Sequence, residues 1–459
     1  MFVISLLQSF LLGFILVNRL LLMKVPTFSS LWWVKIFLST GVGIGMSSLI
    51  YVSMQYLFQL TPLTIFLIEL VLLSALFLYY RGSKKESYLL MIQQPLKGRI
   101  RMTEVFFILL AISIGVFIYN SYLNPHGGWD AWAIWNMHAR FISSGPQGWE
   151  NLFSPHITWT HPDYPLLIPG IIARNWGLIG NRTPMVPITI AFIFTFGTVG
   201  LLVAIVRFLK GQYISALAGI ALLGTAGFVQ LGASQSADIT LGFFFLSTLI
   251  LCLLYERSKP RNKGMLILAG LLAGLAGWTK NEGLLFIMVF LAVRFLVTAW
   301  HRNIKTCFSE YLSLGKGLIP IGLVILYFKI KIAPGSDLFN DSMAHILDKL
   351  LDVERYFNII KWFLREFFLF GNGVVLVLLA FIFLAGVKLG KEIRRGVYTC
   401  LLVLVLMLVG YFLIFVITPK PLEWHLATSL ERLYYQLAAS ILLTVSMFLR
   451  PWSISENKR

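Results

Sequence analysis

Leu401-Leu-Val-Leu-Val-Leu-Met-Leu-Val-Gly-Tyr-Phe-Leu-Ile-Phe-Val-Ile417 carries no charged side chain, and neither does Val186–Val206. Each run approaches the roughly 20 apolar residues that a helix needs to cross a bilayer. A membrane β-barrel would show shorter segments of alternating hydrophobicity, so these runs are read as helices. The rest of the chain agrees. Of 459 residues, 58% are hydrophobic and 13% charged, and the mean hydropathy is +0.80. An average soluble domain carries about 25% charged residues. A chain this poor in charge cannot cover a water-facing surface, which excludes soluble, fibrous and disordered classes. The fold expected is an all-α polytopic membrane protein.

Candidate spans lie near 2–23, 34–56, 61–80, 104–123, 186–206, 213–231, 239–255, 265–279, 283–300, 314–332, 367–387, 398–417 and 433–449. That makes about thirteen helices of membrane-crossing length. Glycine interrupts some of them, as in Gly41-Val-Gly-Ile-Gly45 and Gly270–Gly277, where it lets neighbouring backbones approach. The first span lacks a basic n-region and a small-residue cleavage site, so it reads as a retained helix rather than a signal peptide. Cys252, Cys307 and Cys400 have no metal-ligand spacing and form no disulfide framework.

The net charge of +18 is distributed as a topology signal rather than as a nucleic-acid surface. Its clusters are Arg81/Lys84/Lys85/Lys97/Arg99/Arg101, Arg207/Lys210, Arg257/Lys259/Arg261/Lys263, Arg302/Lys305, Lys388/Lys391/Arg394/Arg395 and Arg450/Lys458/Arg459. With these spans all fall on one side, which the positive-inside rule makes cytoplasmic. The N-terminus is then outside and the C-terminus inside. Long loops at 124–185 and 333–366, a last one at 419–432, and short turns at 232–238 and 280–283 lie on the opposite side. Long loops in compact proteins are usually functional.

Those outer segments hold the polar residues that need explaining. In Gly127-Gly-Trp-Asp130-Ala-Trp-Ala-Ile-Trp-Asn-Met-His-Ala-Arg140, Trp129, Trp132 and Trp135 recur every three residues, as on one face of an interfacial helix. Asp130 stands at its start, where two readings are open: a helix cap, or a carboxylate poised to accept a proton. Thr160-His161-Pro162-Asp163-Tyr164-Pro165 is a rigid extended turn, because each proline restricts the residue before it. It displays His161, Asp163 and Tyr164, or is a proline-rich turn with incidental polar groups. The stretch 166–180 is too short and broken to cross, and is expected to lie beside the membrane.

Further ionisable groups open or close helices on that side: Asp238, Lys280, Glu282, Glu423, His425, Glu431 and Arg432. Each alone suits a snorkelling or salt-bridged anchor, but together they converge on one leaflet. No span carries paired acids of the kind a proton-driven carrier uses, and no inverted repeat is evident. No Walker loop, dinucleotide fingerprint, HExxH or nucleophile elbow occurs.

Taken in order, these motifs resemble the GT-C class of polytopic glycosyltransferases, in particular bacterial relatives of the protein O-mannosyltransferases and the lipid A aminoarabinose transferases. The acidic residue of the first large outer loop is matched by Trp129-Asp130-Ala-Trp132, and the following proline motif by His161-Pro-Asp-Tyr-Pro-Leu166. The outer Asp that opens a helix is matched by Ala237-Asp238, and the turn after a glycine-rich helix by Gly277-Trp-Thr-Lys280-Asn-Glu-Gly283. The resemblance covers roughly residues 104–300, and Trp424-His425 to Arg432 looks like a feature of some bacterial members. It divides the chain into three N-terminal helices with a basic loop (1–103), a catalytic core (104–300) and C-terminal helices (301–459).

The resemblance implies a sugar donor on a polyprenyl phosphate and an acceptor hydroxyl on a lipid, glycan or protein of the cell envelope. Transfer would be inverting, with Asp130 as general base. Lys280, Arg432, His425 and Arg174 are then candidates for the donor phosphate. Asp163, His161, Tyr164, Trp132, Asp238 and Glu282 are candidates for a second acid or for acceptor and sugar binding. Where relatives carry an Asp-Glu pair or a metal-binding DxD-like loop, this chain has Asp130-Ala131. A lone carboxylate is a poor site for a divalent cation, so the implied mechanism needs no cofactor, and a cation is not favoured. The implied location is a bacterial inner (plasma) membrane with the site on the periplasmic or extracellular side. The rival classes are an O-antigen ligase or polymerase, for which the loop 333–366 argues, and a lipid or solute transporter.

Overall fold

The structure is a computed structural model that describes residues 1–21, 29–81, 101–301, 304–336 and 342–450. It is helical throughout, with no named strand among the described residues. Three helices come first: α1 (Phe2–Leu21), α2 (Ser30–Phe58) and α3 (Pro62–Arg81). After α4 (Arg101–Leu123), short helices α5 (Asn136–Ser143), α6 (Pro146–Leu152) and α7 (Leu167–Ile179) build the first large connecting segment. The bundle continues with α8 (Met185–Lys210), α9 (Gln212–Gly224), α10 (Phe228–Ala233), α11 (Ala237–Arg257), α12 (Lys263–Thr279) and α13 (Asn281–His301). It closes with α14 (Ile304–Tyr327), α15 (Met343–Leu351), α16 (Val353–Ala385), α17 (Arg394–Ile417) and α18 (Leu422–Phe448).

Among the described residues nine helices are long and apolar enough to cross a membrane: α1 to α4, α8, α11, α13, α14 and α17. The other expected spans take different forms. The stretch 213–231 is broken: α9 stops at Gly224, and Gly227, at φ +85°, starts the separate α10. α16 spans residues 353–385 but is interrupted at Phe370–Gly373, where three consecutive residues are left-handed. α12 has 17 residues and α18 has 27.

α11 is the axis of the bundle. Every residue from Ala237 to Glu256 is buried, and α12, α18, α8 and α17 surround it. In lipid such packing, rather than removal of apolar surface from water, holds helices together. It requires close backbone approach, which α1 and α2 achieve at Gly43: a Cβ there would collide with the carbonyl oxygen of Ser9.

The basic clusters gather at one end of this bundle. Lys210 donates to the Leu449 carbonyl (2.9 Å), Gln212 to Thr103 (2.8 Å), Lys263 to Ser309 (2.7 Å), and Lys259 pairs with Glu392 (3.1 Å). Lys84, Lys85, Lys97, Arg99, Arg302, Lys458 and Arg459 lie outside the described residues. Helices α11 and α12 run from or to that end, so Asp238 and Lys280 sit at the opposite one.

The long segments there are folded rather than open. α7 is packed among its neighbours: residues 167–176 are all buried, and the Ser48 hydroxyl of α2 donates to the Leu167 carbonyl at 2.6 Å. Within 333–366, α15 and the start of α16 are tied to the end of α17 by Lys349 to the Thr418 carbonyl (2.9 Å) and Arg355 to the Val416 carbonyl (2.7 Å).

Candidate active site

The site is built where the turn after α4 meets the turn before α11. Gly127, at φ +75°, lets the chain fold against Ser234; a Cβ there would strike both the Ser234 carbonyl and Ala131. The Gly128 amide donates to the Ser234 carbonyl (3.0 Å), and Gln235 donates to the Pro125 carbonyl (3.0 Å) while accepting from Asn136 (2.9 Å). This clasp sets Asp130 beside the start of α11. There Ser236 caps the helix through the Asp238 amide (3.3 Å).

Asp238 is the centre. It is fully buried and accepts from Lys280 Nζ (2.9 Å), Gln436 Nε2 (2.6 Å), the Ser236 hydroxyl (2.7 Å), and Arg432 Nε (2.9 Å) and Nη2 (2.8 Å). Arg432 also donates through Nη2 to Asp130, and Lys280 pairs with Glu282 at 2.8 Å. Tyr411 donates to Gln436 (2.6 Å), fixing the amide that faces Asp238. Burial opposes the charge of Lys280, but Asp238 and Glu282 outweigh it and hold its pKa above the ordinary lysine value. It stays an ammonium.

Asp130 therefore does not cap a helix. Its side chain makes no capping hydrogen bond, its backbone is already helical (φ −59°, ψ −36°), and the carboxylate is spent on Arg432. The segment after it also differs from a regular interfacial helix. Ala131–Trp135 is a π turn, whose i→i+5 bonding widens the turn, so Trp135 does not continue the face that Trp129 and Trp132 share. Trp129 and Trp132 are exposed and meet edge to face at 6.1 Å, whereas Trp135 is buried and stacks on Tyr164 at 5.6 Å.

The proline turn forms the adjoining wall. His161, left-handed at φ +52°, stacks on Tyr164 at 4.8 Å, and Lys280 Nζ lies 6.0 Å from the Tyr164 ring centre. Burial raises the Tyr164 phenol well above its usual range, with Lys280 opposing. Asp163 Oδ2 accepts from Asn281 (2.7 Å), and Lys329 donates to the Asp163 carbonyl (2.5 Å) and to Asn281 Oδ1 (2.7 Å). The run Lys280-Asn281-Glu282 thus serves both clusters, Lys280 reaching Asp238 and Asn281 reaching Asp163.

Two candidates are placed elsewhere. Arg174 is fully buried on α7, donating to Ser5, to Gln8 (2.8 Å) and to both oxygens of Glu69 on α3 (3.3 and 2.5 Å). It is a structural ion pair between helices, not a group poised for a donor phosphate. His425 lies about 10 Å along α18 from Arg432, with Nδ1 at 2.9 Å from the Thr418 hydroxyl and the ring against Phe415. The sequence did not single out Gln436, Tyr411, Asn281 or Lys329. Asn281 adjoins two flagged residues, but the others lie inside helices where only packing reveals their direction. Among the described residues no three His, Cys, Asp or Glu side chains come together as a metal site.

A family model, dolichyl-phosphate-mannose-protein mannosyltransferase, matches residues 163–327. The match supports a GT-C-like glycosyltransferase. It begins at Asp163 and includes Tyr164, Asp238, Lys280 and Glu282, while Asp130 and Arg432 complete the network of this membrane glycosyltransferase from outside it. No curated protein and no solved structure matches the chain.

Proposed function

We propose that the enzyme transfers a sugar from a polyprenyl-phosphate carrier to an acceptor hydroxyl at the non-cytoplasmic face, with inversion and with Asp130 as general base. The observation that carries this is the shared Arg432: one guanidinium bonds both Asp130 and the buried Asp238. Three carboxylates, Asp130, Asp238 and Glu282, meet only two cations, Lys280 and Arg432, in this network. Among the described residues of this network, each cation is already paired with a carboxylate. An incoming donor phosphodiester must compete for Arg432, which holds the buried Asp238 through two nitrogens but the 22%-exposed Asp130 through one. Donor binding then frees the Asp130 carboxylate to act.

The acceptor oxygen attacks the anomeric carbon as its proton passes to Asp130, and the bond from that carbon to the phosphate oxygen breaks. The lipid phosphodiester becomes a monoester, gaining negative charge. Lys280 and Arg432 face that developing charge, and interactions that strengthen in the transition state are those that accelerate the step. Glu282 Oε2 has no hydrogen-bond partner among the described residues and offers an acceptor for a sugar or acceptor hydroxyl. The Tyr164 ring beside Lys280 is already stacked on Trp135 and His161, which leaves the exposed Trp132 as the aromatic face for a sugar. His161, Asp163 and Trp132 line the approach in this scheme. This displacement needs no metal ion, because the Lys280 ammonium and the Arg432 guanidinium do the charge-stabilising work a metal cation would do.

The face is argued from charge. The basic clusters gather at the other end of the bundle, which the positive-inside rule assigns to the cytoplasm. Incubating the purified protein with a small panel of polyprenyl-phosphate sugars should release lipid phosphate from one of them. Turnover of a nucleotide sugar, with every lipid donor inert, would overturn the proposal.

A further inference from the structure

At the far end of α11, about 27 Å along the helix from Asp238, lies a cavity of about 370 Å³ lined by Arg261, Lys263, Lys305, Thr306, Ser309 and Glu310, with Tyr255 at its wall. We propose that this cavity binds a phosphate-bearing anion, as a phospholipid headgroup or as free phosphate, at a site separate from sugar transfer. The charge balance carries the argument. Beneath the cavity, Arg294 donates to Glu256 (2.8 Å) and Glu310 (2.6 Å), and Arg261 donates to Glu256 (3.1 Å) and lies 3.9 Å from Glu310. Among the described residues, two carboxylates and two guanidinium groups there pair with one another. Lys263 and Lys305 are additional, and among the described residues neither pairs with a carboxylate. Lys263 Nζ instead donates to the Ser309 hydroxyl at 2.7 Å.

Two lysines and two hydroxyls around one cavity offer the donors that phosphate oxygens accept. The volume falls in the range of pockets that hold small organic ligands, beyond what a lone halide would need. The position suits a headgroup. α11 has 21 residues, about the length of an apolar bilayer core, and the cavity lies just past its last turn. Basic pockets between helices at the cytoplasmic surface are where anionic headgroups bind. Lys263 and Lys305 are themselves exposed, so their loss leaves the buried Arg294 cluster intact.

The test compares the full-length protein with the double variant Lys263→Gln/Lys305→Gln. In one arm, protein reconstituted with phosphatidylglycerol or with phosphatidylcholine is extracted and its retained phospholipid counted by native mass spectrometry. In the other, the thermal midpoint in detergent is followed against inorganic phosphate, with chloride at equal ionic strength as control. Retention of phosphatidylglycerol that weakens roughly 30-fold in the variant supports a headgroup ligand. A phosphate-specific shift that the variant loses supports the free anion. If wild type and variant behave alike in both arms, the proposal is overturned. Sugar transfer per folded molecule should be the same in both proteins, which keeps this site distinct from the one at Asp238.

Discussion

The two ends of α11 hold the same kinds of side chain in different circumstances. At one end Asp238 meets Lys280 and Arg432; at the other Glu256 meets Arg294 and Arg261. Exposure separates them. The carboxylates Glu256 and Glu310 and the Arg294 guanidinium are 1–2% exposed, with Arg261 at the rim keeping 33%, whereas at the other end the carboxylate Asp130 itself keeps 22% beside Arg432 at 26%. An ion-pair cluster whose carboxylates are all buried can only be kept or broken. A partly open one with a carboxylate in excess can trade partners with a substrate. The comparison assigns structure to one end and chemistry to the other, although both look like charges at helix ends in the sequence.

Substitutions at each end can break that contrast. The largest effect should come from Lys280→Met. It removes a donor to the departing phosphate, expected to cost about 10²–10³ in transfer rate per folded molecule. It also leaves Asp238 short of a partner, at about 3–5 kcal/mol of stability. Arg294→Met should cost a similar 3–5 kcal/mol, because it takes the buried guanidinium away from Glu256 and Glu310. Its transfer rate, normalised to folded protein, should stay at the wild-type level. An equal loss of rate in both variants would erase the distinction between the two ends.

A smaller effect sharpens the picture at the wall of the site. His138 is fully buried; burial, with His161 nearby, lowers its pKa to about 3, and its Nε2 lies 3.3 Å from the Thr160 hydroxyl. An unfolded histidine titrates near 6.5, so the unfolded chain takes up this proton first as pH falls. The stability is present above about pH 6.5 and is lost as pH drops toward 3. Between pH 7 and 5 the loss should be about 2 kcal/mol. The thermal midpoint of wild type should fall over that interval, and that of His138→Gln should fall less.

Much of the charged network at the candidate site was legible because a charge at the end of an apolar run has few places to go. Asp130, Asp238, Lys280, Glu282 and Arg432 are such residues, and the structure joins them. Arg174 was not legible in this way. It sits inside a short apolar helix, and its partner Glu69 lies far off in sequence in the middle of α3. A lone glutamate in a membrane span was itself the available signal, since such a charge requires a partner. Glu256 and Glu310 likewise fall just beyond the expected spans 239–255 and 314–332, so their meeting at Arg294 was invisible without the packing of α11, α13 and α14. The break in the span 213–231 followed glycine chemistry, a left-handed Gly227, that an apolar composition conceals. The π turn after Asp130 was equally hidden, because nothing in the Trp spacing distinguishes five-residue from four-residue bonding.

Asp130 is where the scheme is most exposed to refutation. In Asp130→Asn the carboxylate no longer competes for Arg432, so a polyprenyl-phosphate sugar should bind at least as tightly as to wild type. With the base gone, the single-turnover rate of transfer should nevertheless fall by about 10²–10⁴. Tight binding without transfer is the predicted result. Transfer by the purified Asn variant at close to the wild-type rate would contradict it.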